Sequence, residues 1–386
     1  SKAYIRGKII AHSAKIRREY KEREKTLEGE IRRVERELAG KYSEEKYRKL
    51  CNLKCELHEM YTKKAEYALF RLKTTFYEGG EKSGKLLARQ LKRQDNSNNI
   101  PMIKKGDKVI TSNKGINEVF EEFYRNLYTS ECKPSEEETD AFFSGLEIPT
   151  ISDEQKERLD APLTEDEIRA TIRAMKPGKS PGLDGFPVEY YKKYMDSLAP
   201  VLHQVYNEAL ETGSLPGTLN EALISLIPKK DRDNTEPGNY RPVSLLGVDC
   251  KILTKTLATR LESILPTIIH SDQVGFIKNR SSTDNMRRLL HLTHLNRNNP
   301  VPVTALSLDA EKAFDRVEWS FLMLALSKFG FGEVFCNWVK VLYSNPRAVV
   351  LTNGLISNFF NLTRGTRQGC ALSPLLFTIV LEPLAI

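Results

Sequence analysis

Apolar residues recur at helical spacing in the first part of the chain. Leu27, Ile31, Val34 and Leu38 step by four, three and four, and Ile16 and Tyr20 extend the stripe upstream. After Gly40 the pattern restarts with Leu50, Leu53, Leu57 and Tyr61. Gly40 can end the first helix, and Ser43 with Glu44 and Glu45 can start the second. The pattern predicts a helical hairpin with apolar seams and Lys/Arg/Glu outer faces.

Residues 93–115 are polar and turn-rich, so they read as a loop. Val119, Phe120, Phe123, Tyr124 and Leu127 predict the buried side of a helix. Ser135–Asp140 reads as an acidic loop. Residues 163–175 read as a helix, with Thr164 and Glu167 in a capping box. The Gly- and Pro-rich run 176–186 is a loop. From there the two periods alternate. Residues 222–229 predict a strand and 250–269 a helix. Residues 303–309 alternate strictly and predict a strand ending at Asp309. Asn353-Gly354 between two β-prone runs predicts a hairpin, and Ser373-Pro374 starts a last helix. The chain therefore reads as helices first and mixed α and β afterwards.

Charge sharpens this picture. The 386 residues carry a net charge of +8, but residues 1–110 hold 29 Lys and Arg against 16 Asp and Glu. Residues 111–175 reverse the balance, with 7 against 16. A basic block ahead of a nearly neutral region suggests a polyanionic partner, although basic solvated helices are also common. No apolar run is long enough to cross a membrane. The six cysteines form no CxxC pair and read as reduced, buried thiols.

Asp309 is the sharpest single position. A carboxylate on the last residue of a strand is a rigid mount for a metal ion in phosphoryl transfer. The alternative is an N-cap for the helix that follows. Gly178-Lys179-Ser180 is not the tail of a P-loop, because position 173 is Arg where that motif needs Gly.

Five blocks in order settle on one resemblance. "SLDAEKAFDRV" (307–317) resembles the first aspartate motif of reverse transcriptases, and "RGTRQGCALSPLLF" (364–377) their next motif. "IPKKDRDNTEPGNYRPVSLL" (227–246) and "DQVGFIKNRSSTDN" (272–285) resemble the two fingers motifs. "GKSPGLDGF" (178–186) resembles the upstream motif characteristic of non-LTR enzymes. The wording is most similar to reverse transcriptases of vertebrate non-LTR (LINE-type) retrotransposon polyproteins.

The resemblance implies an α+β fold: right-hand polymerase fingers and a partial palm, preceded by a basic α-helical hairpin region. It implies a basic hairpin at 1–92, a linker and helical extension at 93–175, fingers at 176–300 and a partial palm at 301–386. Residues 1–175 would lie between an endonuclease and the fingers. Asp309 and the Ala310 carbonyl would hold magnesium, two ions in the complete enzyme. Phe314 would exclude ribonucleotides, Arg241 and Lys229 or Lys230 would grip the triphosphate, and Gln368 and Gly369 would line the nucleotide pocket. Lys179, Ser180, Gly275, Phe276 and Arg280 would touch the template. Asp315 is read as a helix cap or salt bridge, with no metal. The implied partners are an RNA template, a DNA primer and deoxynucleoside triphosphates, in a cytoplasmic and nuclear ribonucleoprotein. The sequence stops before the motif that brings two adjacent aspartates on a hairpin, so this chain alone is expected not to polymerise. Its palm is expected to be poorly folded near 303–386. The alternative is a catalytically inactive nucleic-acid-binding remnant.

Overall fold

The computed structural model describes residues 2–40, 43–71, 99–131, 136–295, 304, 306–367 and 369–386. The chain divides into two compact units, Ser1–Asn99 and Ile100–Ile386.

The first unit is the helical hairpin that the apolar spacing predicts. Helix α1 (Lys2–Gly40) runs back along α2 (Glu44–Arg71). Leu27, Ile31 and Val34 of α1 bury against Leu50 and Leu53 of α2, with Leu38, Leu57 and Met60 packed beside them. Cross-helix polar contacts flank the seam. The Tyr20 hydroxyl donates to the Met60 carbonyl at 2.8 Å, and Arg23 pairs with Glu56 at 2.6 Å. Lys54 pairs with Glu35 at 2.7 Å, and Lys46 with Glu37 at 3.0 Å. Cys51 and Cys55 are exposed on α2, so they are not the buried thiols expected; of the described cysteines, Cys250 is the buried one.

The second unit mixes helices with a sheet. It opens with a small antiparallel hairpin, β1 (Ile103–Lys105) and β2 (Lys108–Ile110), inside the segment expected as a loop. Gly106 at φ 58° supplies the tight turn, and buried Ile103 anchors the hairpin in the core. Helix α3 (Asn113–Leu127) begins at Ser112, whose side chain accepts from the Gly115 amide. Helix α4 (Glu136–Ser144) replaces the acidic loop expected at 135–140. Its acids sit at its N-terminal end, where the helix dipole favours them, and Phe143 is buried near its other end. Helices α5 (Asp153–Asp160) and α6 (Glu165–Ala174) both start on capping boxes, Ser152 with Gln155 and Thr164 with Glu167. The second of these is the box read from the sequence.

Helix α7 (Met195–Thr212) leads to β3 (Glu221–Pro228) and β4 (Tyr240–Leu246), which pair antiparallel. Helix α8 (Val248–Leu261) is buried on most sides. It ends well before Ile269, the expected limit, and a separate turn at Leu265–Ile268 begins around Pro266. Proline lacks the amide that would continue the helix. Helix α9 (Ser282–Leu295) buries no residue. Helices α10 (Trp319–Lys328) and α11 (Glu333–Leu342) precede β5 (Arg347–Thr352), which pairs parallel to β3. Asn353 and Gly354, both at positive φ, turn β5 into β6 (Leu355–Ile356) as expected. Strand β7 (Phe360–Asn361) also pairs with β5, and α12 (Ser373–Leu381) closes the unit with Pro374 in its first turn.

The core lies where α3 covers the sheet. Ile116, Val119, Phe120, Tyr124 and Leu127 pack on Ala222, Ile224, Ala348 and Val350. Alternation along β3 and β5 sends these side chains to one face. The buried Asn117 amide fastens α3 to the hairpin, donating to the Thr352 hydroxyl at 2.8 Å and to the Val350 and Leu355 carbonyls at 3.2 Å.

Arg260 of α8 is a second fastening. It meets both oxygens of Glu167 at 2.7 Å and donates to the carbonyls of Leu159, Ala161 and Pro162. Burial raises the Glu167 carboxyl, but Arg260 and the Thr164 cap outweigh it and hold it below the usual carboxylate range. Arg260→Ala leaves three carbonyls and a carboxylate short of donors. It should destabilise the second unit by about 3–5 kcal/mol, read from the denaturant midpoint. Because the folded carboxyl titrates low, this stabilisation is present at neutral pH and is lost as the pH falls through the folded value. A variant as stable as the parent would show the network to be idle.

The strand expected at 303–309 does not appear among the described residues. Residues 304 and 306–310 carry no regular structure, while 301–303 and 305 lie outside the described residues. Leu306 and Leu308 are 80% and 85% exposed. A strand needs a ladder partner, and no described strand lies beside this segment.

Candidate active site

The β3–β4 hairpin places the first basic pair. Its register sets Ile227 opposite Arg241, so Lys229 and Arg241 meet at the hairpin end although twelve positions separate them. The Lys229 amide closes this end on the Asn239 carbonyl at 2.9 Å, and its ammonium donates to the Gly238 carbonyl at 3.1 Å. Asp233 organises the connecting loop. It accepts from the Thr235 amide and hydroxyl and from Lys104, and these contacts hold its carboxyl down at about 2. Lys229, Arg241 and Lys312 line one cavity of about 140 Å³, walled by Phe123 and Tyr124 with Asp315 beside them. The Lys312 ammonium lies 4.4 Å from the Phe123 ring centre. Burial, with Arg316 and Lys229 nearby, pushes the Lys312 amine below its ordinary value.

The segment that carries Asp309 continues through Lys312, at φ 53°, into a 3-10 turn at Ala313–Arg316. Asp315 is buried and accepts from the Tyr128 hydroxyl at 2.8 Å. Burial, and then the Asp315 charge, raise the Tyr128 phenol well above its ordinary value. This turn is stitched to Gly365 and Thr366. The Thr366 amide and hydroxyl both donate to the Phe314 carbonyl, and the Gly365 amide donates to the Val317 carbonyl at 2.7 Å. A Cβ on Gly365 would come within 2.7 Å of the Asp315 carbonyl oxygen, so glycine is required there. The two arginines of "RGTR" are buried and structural. Arg364 donates to the Leu127 carbonyl and pairs with Glu131 and Glu318, while Arg367 donates to Asn220 and the Leu342 carbonyl.

Phe314 is half-buried between two rings. It stacks on Phe377 at 4.5 Å and meets Phe276 edge-on at 5.6 Å. Phe276 holds φ 62° and remains largely exposed. Arg280, four residues on, donates to the carbonyls of Ile269, His270 and Gln273. Its guanidinium thus closes the loop, and Gly275 lies in the turn between.

A larger cavity of about 770 Å³ gathers a different set. Lys179 and Ser180, named from the sequence, line it together with Gly369. Lys176, Lys251 and Lys255 line it too, and sequence reasoning passed over them. Lys251 and Lys255 lie one turn apart on α8, so the four-residue spacing within "CKILTKT" was the available signal. Burial pushes the Lys251 amine below its ordinary value. Gly369, at φ 117°, brings its backbone against β4: a Cβ would lie 2.5 Å from the Ser244 carbonyl oxygen. Gln368 lies outside the described residues.

Asp309 and Ala310 are exposed, and Asp309 lines neither cavity. Among the described residues no three His, Cys, Asp or Glu side chains gather as a metal site. The Asp309 carboxylate and the adjacent Ala310 carbonyl are hard oxygen donors. They suit one magnesium ion held mostly by water and phosphate, and they do not make a two-ion clamp.

The structure thus brings Lys229, Arg241 and Lys312 to one cavity and Phe276, Phe314 and Phe377 to one aromatic cluster, on an α+β scaffold. Residues 227–385 match the family described as reverse transcriptase (RNA-dependent DNA polymerase). The chain is 33% identical over 92% of its length to the transposon TX1 uncharacterized 149 kDa protein of Xenopus laevis. It is 30% identical over 58% of its length to the retrovirus-related Pol polyprotein from type-1 retrotransposable element R2 of Popillia japonica. It is 25% identical over 64% of its length to the RNA-directed DNA polymerase from mobile element jockey of Drosophila melanogaster. The chain spans 27%, 30% and 29% of these relatives' own lengths. The chain therefore carries a reverse transcriptase domain of the kind found in non-LTR retrotransposons. Among the described residues no helix is long and apolar enough to cross a membrane.

Proposed function

We propose that the chain supplies the nucleotide and template sites of an RNA-directed DNA polymerase within a longer retrotransposon polyprotein. The observation that carries this reading is the meeting of Lys229, Arg241 and Lys312 on one cavity next to the Asp309–Asp315 segment. Three cations in a half-enclosed space suit a triphosphate, and Arg241 can make two parallel bonds to it. Phe314 stands as the bulky group under the incoming sugar, supported by Phe377 and Phe276. The lysine-lined cavity of Lys176, Lys179, Lys251 and Lys255 takes the RNA template backbone, with Ser180 and the Gly369 main chain at its wall. In the complete protein Asp309 and the Ala310 carbonyl take part in holding two magnesium ions, with a DNA primer as acceptor. On this reading 176–300 act as fingers and 301–386 as part of the palm, while 1–92 and 93–175 form a basic hairpin and a helical extension. The working compartment is the cytoplasm and nucleus, as a ribonucleoprotein.

The test needs only binding. Arg241 is exposed, so Arg241→Ala leaves the sheet intact. It should weaken binding of a deoxynucleoside triphosphate to the purified chain by about tenfold or more, the worth of a charged hydrogen bond. Binding of the unphosphorylated nucleoside should not change. Equal triphosphate affinity in the two proteins would remove Arg241 from the site and leave the cavity without this role.

A further inference from the structure

The first unit carries a cationic face that the polymerase reading does not use. From Lys2 to Lys25, α1 holds nine Lys and Arg against three Glu. Arg17, Arg18, Lys21 and Lys25 line a shallow groove of about 400 Å³ with Ala14 and Glu22. Arg17, Lys21 and Lys25 repeat every four residues, which sets successive cations about 6 Å apart along the axis. The small Ala14 leaves room among the long side chains. Helical spacing turns this stripe away from the seam of Leu27, Ile31 and Val34, so α2 does not cover it.

The ion pairs divide the helix in two. Where α1 runs beside α2, Arg23, Glu35 and Glu37 pair across the hairpin with Glu56, Lys54 and Lys46. In the groove, the ion pair found is Arg18 with Glu22 at 3.9 Å, between two well-exposed side chains. Such a pair contributes little and is easily exchanged. The groove therefore keeps a net charge of about three positive units. Among the described residues no aromatic ring lines it, so it can bind phosphates but offers no ring on which to stack bases.

We propose that this face of α1 is a second nucleic-acid site, separate from the polymerase cavities, that grips the phosphate backbone without reading sequence. It stands whether or not the second unit polymerises. Phosphate contacts alone confer orientation and salt-sensitive affinity, and they carry no base information. The exposed Ile9 and Ile16 do not make the face a lipid-binding one, because their spacing places them in line with the α2 seam.

The test is equilibrium binding of labelled single-stranded RNA, and of DNA of the same sequence, to the full 386-residue chain across a salt titration. One variant combines Arg17→Ala, Arg18→Ala, Lys21→Ala and Lys25→Ala. Alanine is a strong helix former, so far-UV circular dichroism should confirm an unchanged helix content. A second variant combines Lys176→Ala, Lys179→Ala, Lys251→Ala and Lys255→Ala and reports on the polymerase cavity. The first variant should lose at least about tenfold in affinity for both strands at low salt. Its log–log salt slope should be shallower by up to about 2.8, at roughly 0.7 per phosphate released. An unchanged slope, with loss confined to the second variant, overturns the proposal and leaves the polymerase reading standing. Binding of acidic polyglutamate or anionic vesicles with the same loss in the first variant, and no such loss on RNA or DNA, also overturns it.

Discussion

The purified 386-residue chain should extend no primer in magnesium or manganese, although it binds template and triphosphate. In-line transfer between two metal ions draws carboxylates from two sides of the pair. Asp309 supplies one, and the structure accounts for every acid after it. Asp315 is buried against the Tyr128 hydroxyl. Glu318 accepts from Ser130 at 2.8 Å and faces Arg364. Glu382 is buried, accepting from the His270 amide at 2.7 Å. Glu333 opens helix α11, and Glu311 is exposed in the turn that follows Asp309 and Ala310. None stands on a strand beside Asp309. The check is a primer-extension assay on this chain with each metal. Templated extension that Asp309→Asn abolishes would falsify the expectation and place the second carboxylate among these residues.

Much of the fold could be read from periodicity, and the failures have specific causes. The hairpin of α1 and α2 followed from Leu27, Ile31, Val34, Leu50 and Leu53, because two long helices bury a seam that needs nothing else. The Thr164–Glu167 box and the Asn353-Gly354 turn were legible because each is a local device whose chemistry is complete within four residues. The described residues of 303–309 form no strand for the opposite reason. Their alternation is a statement about faces, and a face forms only when a neighbouring strand completes the ladder. The β1–β2 hairpin was missed because its strands are only three residues each, within polar, turn-rich sequence. The acidic run before Phe142 was read as loop because charge density hid a helix start.

The site was legible unevenly. Lys229 and Arg241 come from one motif block as a shared triphosphate grip, and the β3–β4 register brings them to one hairpin end. Gly369 was named for close approach to substrate, whereas the near neighbour found is the Ser244 carbonyl on the protein's own sheet. Lys251 and Lys255 offer only their four-residue spacing as a signal, and two lysines on a helix usually face solvent. Their position against the Gly178–Gly182 region depends on how α8 packs, which no local pattern encodes. Arg364 and Arg367 belong to the motif block 364–377, and each is engaged by backbone carbonyls and side-chain oxygens of the protein itself.

Asp309 and Asp315 lie six residues apart in one motif and should fail in opposite ways. In a longer polyprotein of the kind proposed, Asp309→Asn should lower templated extension by at least about two to three orders of magnitude. The amide keeps the shape of the carboxylate but loses the charge that a divalent ion requires. Asp309 is exposed, so its loss should leave stability within about 0.5 kcal/mol of the parent. Asp315→Asn acts on the buried bond to Tyr128, whose phenol already titrates high because of burial and this carboxylate. It should destabilise the fold by about 1–3 kcal/mol, the cost of disturbing a buried charged hydrogen bond. The residual extension, measured at a temperature where the variant is folded, should remain well above that of Asp309→Asn. Denaturant midpoints and extension rates of the two variants separate the roles. Near-parental extension by Asp309→Asn would remove its catalytic assignment, and equal activity losses with unchanged stability in both would make Asp315 a partner in catalysis.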